Sequence, residues 1–160
     1  MLVDLPPWAI VMLNVLSIPF LHLGVSWFYA GRPGGAFNPK HWLFRERGWE
    51  RGGQVYEKIF GIRMWKGMLP DAAPWFKGFA KGKLASRDEE YLRAFIVETC
   101  RGEAAHYAQI PALLLTWLWN PWPVACLVLL IYALFSNLPC ILLQRFTRIR
   151  LTRVLLALTS

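Results

Sequence analysis

The chain has 160 residues, enough for one domain, and its composition sets it apart from ordinary soluble domains: 56% hydrophobic, only 18% charged, mean hydropathy +0.33. The net charge of +8 is unevenly spread, with fourteen of the eighteen Lys and Arg between Arg32 and Arg101 and the other four between Arg145 and Arg153. Apolar runs of bilayer length separate these blocks, which excludes a soluble nucleic-acid binder; the basic balance reads as membrane topology and attraction to anionic lipid.

In chain order, the first apolar run predicts a membrane span over about 6–29, interrupted only by Asn14 and His22. It lacks a positive leading region and is too long for a cleavable signal. Residues 31–102 follow as a basic loop, turn-rich from Gly31 to Pro39. Trp42, Trp49, Trp65 and Trp75 are interleaved there with Lys and Arg. An indole joins an apolar ring to one polar N–H, so this mixture predicts amphipathic segments in the headgroup layer. The run Lys77 to Lys83 reads as a lipid-headgroup patch. Ser86 and Glu89 have capping-box spacing, and Asp88 and Glu90 add favourable charge at the same helix start. That helix meets no strong breaker before Gly102 and is expected to continue into a second span, 103–119, which contains Pro111. Trp119-Asn120-Pro121-Trp122-Pro123 makes a tight interfacial turn, and a third span runs over 123–143.

The fold class is therefore an all-α integral membrane protein with about three transmembrane helices plus interfacial amphipathic helices. All eighteen Lys and Arg fall in the loop and the C-terminal tail. This predicts a multi-pass cell-membrane protein with the N-terminus outside and the C-terminus cytoplasmic. Three helices enclose little volume, so a homo-oligomer is compatible with the pattern.

Polar residues collect where the second span enters the membrane. At 100° per residue, Glu98, Thr99, Glu103, His106 and Gln109 occupy an arc of about 140°. The turn at 119–123 makes the second and third spans antiparallel, so residues at equal depth have numbers adding to about 242. His106 then pairs with Ser136 and Asn137, and Glu98 with Gln144. Asn137, Gln144 and Arg148 share a face, and His22 lies near the same depth. Ionisable groups at that depth are costly unless they face protein or water.

Three chemistries fit this stripe. Glu103 can orient His106 as a general base, with Asn137, Gln144 and the arginines stabilising negative charge. The same groups can instead pair with arginines and hold a helix hairpin together. Glu-x-x-His also occurs in di-iron bundles, but there it appears twice with two further Glu; here it appears once, so no metal ligand is assigned, and a metal-dependent membrane enzyme stands as an alternative beside a non-enzymatic membrane scaffold or lipid-binding protein. Cys100, Cys126 and Cys140 are odd in number, lack metal-ligand spacing and read as packing residues. The sequence has no Gly-x-Ser-x-Gly elbow, no Walker loop, no dinucleotide fingerprint and no His followed four residues later by Asp.

Three blocks carry a family likeness. They are Trp65-Lys66-x-x-Leu69-Pro70-Asp71, then Glu98-Thr99-x-Arg101-x-Glu103-x-x-His106, then Asn137-x-Pro139-x-Ile141-x-x-Gln144-Arg145-x-x-Arg148-x-Arg150-Leu151. In these blocks, and in length and apolar pattern, the chain resembles the glycosyl-4,4'-diaponeurosporenoate acyltransferase family. The resemblance implies esterification of a sugar hydroxyl on a membrane-embedded, carotenoid-type lipid glycoside. The acyl donor would be a coenzyme A or carrier-protein thioester, and no cofactor is implied. The resemblance brings no catalytic set with it; the chemistry of the polar stripe, applied to the shared positions, makes His106, Glu103, Glu98, Asn137 and Gln144 the expected catalytic set. Arg101, Arg145, Arg148, Arg150, Trp65 and Lys66 are the expected substrate-binding set, with Arg145, Arg148 and Arg150 holding the donor's phosphate-bearing end. The expected partners are membrane lipids, the glycoside acceptor and the acyl donor, and no nucleic acid.

Overall fold

A computed structural model describes residues 4–69 and 84–159. Among these the chain is all-helical, with no strand. Trp75, the run Lys77 to Lys83, and Pro70 and Asp71 of the first block lie outside the described residues.

Helix α1, Pro7–Ala30, starts with proline at its first position, where the missing N–H costs nothing. None of its residues is buried within the protein; Trp8, Phe20 and Trp27 point outward. Beyond it, the described part of the loop forms five short helical pieces. These are 3-10 turns at Gly34–Ala36, Gly48–Gly53 and Lys66–Met68, and the α-turns α2, Gln54–Lys58, and α3, Ile62–Trp65; α3 and the last 3-10 turn run on from each other. Helix α4, Glu89–Leu114, runs unbroken past Gly102 as its sequence predicts, then tightens into a 3-10 turn at Leu115–Leu118. Its cap differs from the expected box. Asp88 is the N-cap and accepts the Tyr91 N–H at 2.7 Å, while Ser86 bonds Asp88 instead of the helix. The helix starts two residues too late for Ser86 to reach its first N–H groups. Helix α5, Val124–Thr159, continues well beyond the predicted span, through Pro139 and all four C-terminal arginines.

Helix α4 is the centre of the fold and packs along both α1 and α5, while α1 and α5 hardly touch each other. Among the described residues, two helices are long and apolar enough to cross a bilayer, α1 and α5. The predicted second span lies on α4, whose apolar stretch begins only after Glu98, Arg101 and Glu103.

The loop folds as a cap over the ends of α4 and α5. Phe37 and Phe44 pack on Cys100 and Ala104, and Tyr56 and Ile62 pack on Phe146 and Ile149. Leu92, Phe95 and Ile96 meet Leu151 and Leu155 nearby. At the opposite end, Asn14 and Asn120 exchange two amide hydrogen bonds of 2.9 Å. Trp119 Nε1 also donates to Asn14 at 2.9 Å. An amide pair of this kind satisfies polar groups that an apolar helix would otherwise bury unpaired.

The cap touches α5 closely because Gly53 has φ +88° and its Cα faces Phe146; a Cβ there would sit 3.4 Å from the ring. Gly53→Ala is expected to lower stability by about 1–2 kcal/mol, the cost of the left-handed conformation for a residue with a Cβ. Thermal unfolding in detergent checks this; an unchanged midpoint would mean that the cap does not bear on folding.

Candidate active site

Two polar layers lie between α4 and α5. The lower one is an ion cluster centred on Arg145. Its Nε and Nη2 bond the two oxygens of Glu50 at 2.9 and 3.0 Å. Nη1 bonds Glu103 at 2.7 Å and the Leu43 carbonyl at 2.9 Å, and Nη2 also reaches the Arg45 carbonyl at 3.1 Å. All five N–H groups of the guanidinium therefore have protein acceptors. Arg148 takes the other oxygen of Glu103 and donates from Nε to the Phe44 carbonyl at 3.0 Å. Glu50 and Glu103 are fully buried, and the two arginines nearly so. Two carboxylates balance two guanidiniums, the condition under which buried charge is tolerated.

Glu50 shows how the balance works. Burial pushes its carboxyl up. Bonds from Arg145, from the Tyr56 hydroxyl and from the Arg47 backbone N–H, with the Arg145 charge, outweigh this and hold it below the usual carboxylate range. Tyr56 is pushed up in turn, by burial first and by Glu50 second, so its phenol stays neutral and donates.

The upper layer centres on His106. Its Nδ1 faces Gln109 Oε1 at 3.0 Å and Asn137 Oδ1 at 2.9 Å. Both amide orientations are fixed from behind. Gln109 Nε2 donates to the His22 carbonyl at 3.1 Å and to Ser26 Oγ at 2.9 Å, and Asn137 Nδ2 donates to the Ala133 carbonyl at 2.9 Å. Two oxygens aimed at Nδ1 require it to carry the proton, so in the neutral imidazole Nε2 holds the lone pair. The tautomer follows from bonding partners, not from visible hydrogens. This layer also joins the three long helices, because Gln109 reaches α1 and Asn137 lies on α5. His22 Nε2 lies 3.3 Å from the Tyr132 hydroxyl beside it.

The predicted depth pairing of His106 with Asn137 is present. The expected contact of Glu103 with His106 is replaced: both Glu103 oxygens bond arginines, and amides hold Nδ1. A carboxylate between two guanidiniums gains more than one beside a neutral ring. Arg145, expected to grip substrate, spends every donor inside the protein. Glu98 pairs with Arg101 at 2.9 Å. Arg101 in turn donates to the carbonyls of Tyr29, Ala30 and Arg32, placing a cation at the α1 C-terminus. Neither belongs to the two layers. None of the cluster's hydrogen bonds reaches the half-buried Gln144. Arg150 is half-exposed, 3.4 Å from Glu57. Trp65 bonds the Phe60 carbonyl at 2.8 Å and packs against the Tyr56–Phe146 group, and Lys66 is exposed on the cap. Among the described residues, no group of three or more His, Cys, Asp or Glu is placed to hold a metal ion.

Sequence reasoning passes over Glu50 and Tyr56. They lie 95 and 89 positions from Arg145, and no helical period links residues that far apart. The available signal is Arg51-Gly52-Gly53 directly after Glu50, a left-handed turn that folds the carboxylate back against α5.

Together these features define a class: a helical protein with apolar helices of bilayer length and an imidazole held in one tautomer between them. The sequence profile described as glycosyl-4,4'-diaponeurosporenoate acyltransferase matches residues 40–157. The chain belongs to that family of acyltransferases. Glycosyl-4,4'-diaponeurosporenoate acyltransferase of Staphylococcus aureus strain MRSA252 is 29% identical over 150 residues, covering 92% of this chain and 83% of the relative. The protein of the same name from Staphylococcus haemolyticus is 28% identical, covering 90% and 85%. No solved structure matches the chain.

Removing one member of the ion cluster strands its partners. Arg145→Leu is expected to cost about 3–5 kcal/mol, against less than about 0.5 kcal/mol for the half-exposed Arg150→Gln. Because the Glu50 carboxyl is depressed, its contribution is present above its unfolded value of about 4.3 and is lost as pH falls through the lower folded value. Unfolding midpoints against pH, with Glu50→Gln as reference, check both points. A variant whose acid profile matched wild type would remove Glu50 from the ledger.

Proposed function

We propose that this chain is a three-span membrane enzyme that transfers a fatty acyl group from a thioester to a sugar hydroxyl of a lipid glycoside. The carotenoid-type glycoside named for its relatives is the first acceptor to try. Besides α1 and α5, the remaining span, second in chain order, is the apolar part of α4, held between them. The charge pattern supports an N-terminus outside and a cytoplasmic cap and C-terminus.

His106 carries the chemistry. The single observation behind this role is the pair of amide oxygens at its Nδ1, which leaves Nε2 as the basic nitrogen. Nε2 takes the proton of the acceptor hydroxyl as its oxygen attacks the thioester carbonyl. The tetrahedral intermediate collapses, the C–S bond breaks, and the imidazolium returns the proton to the leaving thiolate. The products are a sugar ester and a free thiol.

The expected helpers divide differently from the sequence pattern. Both N–H groups of Asn137 already bond Ala133 and Ser136, so Asn137 positions His106. Gln144, on the same face of α5 but about 10 Å of rise from Asn137, would act on the donor side of the site. Glu103, Arg145 and Arg148 hold α4, α5 and the cap in register. Arg150 and Lys66, on the exposed basic rim, meet the donor's phosphate-bearing end.

The test is transfer of radiolabelled acyl thioester to a panel of lipid glycosides by purified protein in detergent. His106→Ala is expected to lose roughly 10²–10⁴ in rate, the usual worth of a positioned acid–base group, with its melting temperature retained. Full activity in that variant would remove His106 from the mechanism, and no transfer to any glycoside by folded wild type would sink acyl transfer as the function.

A further inference from the structure

The seam between α1 and α5 poses a physical question. These helices make few direct contacts, and α4 packs against both. Both carry exposed apolar residues, Phe20, Ile131 and Phe135 among them, yet a polar strip lies at the seam. His22 and Tyr132 face each other across it, with His22 Nε2 to the Tyr132 hydroxyl at 3.3 Å and the rings edge to face at 6.0 Å. Tyr132 is 41% exposed. Ser26 and Ser136 lie beside the pair, and the strip joins His106 through Gln109 and Asn137. Polar side chains at the depth of an apolar helix are expensive unless something polar meets them.

We propose that this strip is the binding site for the sugar of a membrane lipid glycoside, which enters sideways from the bilayer with His22 and Tyr132 hydrogen-bonding its hydroxyls. This rests on the acyl-transfer reading and assigns its acceptor site. A hexose presents alternating donors and acceptors. A phenol and an imidazole each do both and carry apolar faces that suit the sugar's C–H surface. Connectivity agrees as well. Tyr132 lies about 7.5 Å along α5 from Asn137, and Ser136 links them, donating to the Tyr132 carbonyl and accepting from Asn137 Nδ2. A ring held at Tyr132 therefore brings a hydroxyl toward His106, while its lipid tail stays among the apolar side chains outside. An anionic headgroup fits less well, because the strip holds no arginine or lysine.

The experiment uses the full chain in phosphatidylcholine nanodiscs. Binding of tetradecyl β-glucoside is compared with that of tetradecanol for wild type, Tyr132→Phe, His22→Leu and His106→Ala, with melting temperature read for each. Wild type is expected to prefer the glucoside at least tenfold. Tyr132→Phe, which removes one oxygen without changing shape, is expected to cut that preference about fivefold or more, and His22→Leu to cut it similarly. His106→Ala is expected to keep the preference while losing transfer. A wild type with no preference, or folded Tyr132→Phe and His22→Leu proteins that both keep it, would overturn the proposal. Glucoside preference without acyl transfer would leave this site standing and remove the reaction assigned to it.

Discussion

The ion pairs of Arg145 tie the molecule together. One guanidinium bonds Glu50 of the cap, Glu103 of α4 and two cap carbonyls, and it is itself part of α5. At low dielectric such a group is stable only with all its partners in place, and each partner is stranded without it. Cap, α4 and α5 therefore fold as one unit at this end. The described part of the cap has only short helical turns and small apolar contacts of its own, so the carbonyls of Leu43, Phe44 and Arg45 need the two arginines as much as the arginines need them.

The second layer depends on the first. His106 lies one turn along α4 from Glu103, and the register set by Glu103 with Arg145 and Arg148 brings Asn137 opposite His106. Gln109, a turn further on, reaches α1. The ordering from charged cluster to imidazole to neutral amides follows the fall in solvation along the helix. Full charges sit where the cap can supply carbonyls and carboxylates, and only neutral dipoles are used where apolar side chains surround the bundle.

The sequence makes much of this legible, for reasons that also mark its limits. Apolar runs of bilayer length show in one dimension, so α1 and the start of α5 stand where hydropathy puts them. The tight turn at 119–123 is local too, and it sets the antiparallel pairing of His106 with Asn137. Arg145 and Glu103 stand out as charges near apolar segments, but their roles depend on Glu50 and three backbone carbonyls of a loop that periodicity cannot place. Without those partners, Glu103 looks available for His106 and Arg145 for a substrate. Ser86 misleads on a smaller scale. Its spacing to Glu89 makes a good box, but Asp88 offers a carboxylate to the helix N-terminus, where charge favours it.

The exchange of partners matters for the chemistry. A carboxylate against His106 would place a full negative charge in the apolar layer, and desolvating it would cost more than fixing one tautomer requires. Two amide oxygens fix the same tautomer with dipoles already satisfied on their other sides. The amides are in turn braced by the His22 and Ala133 carbonyls, so the imidazole is positioned without any added ion. If His106 is the base, as proposed above, this arrangement suits an activated acyl donor, where attack needs placement and a proton acceptor more than a strong field. It also leaves the mouth of the site uncharged, which favours an acceptor whose only polar part is a neutral sugar. Under the proposed reaction, charge at one end and neutral hydrogen bonding at the other would suit two substrates of opposite character, an anionic acyl donor and a neutral glycolipid.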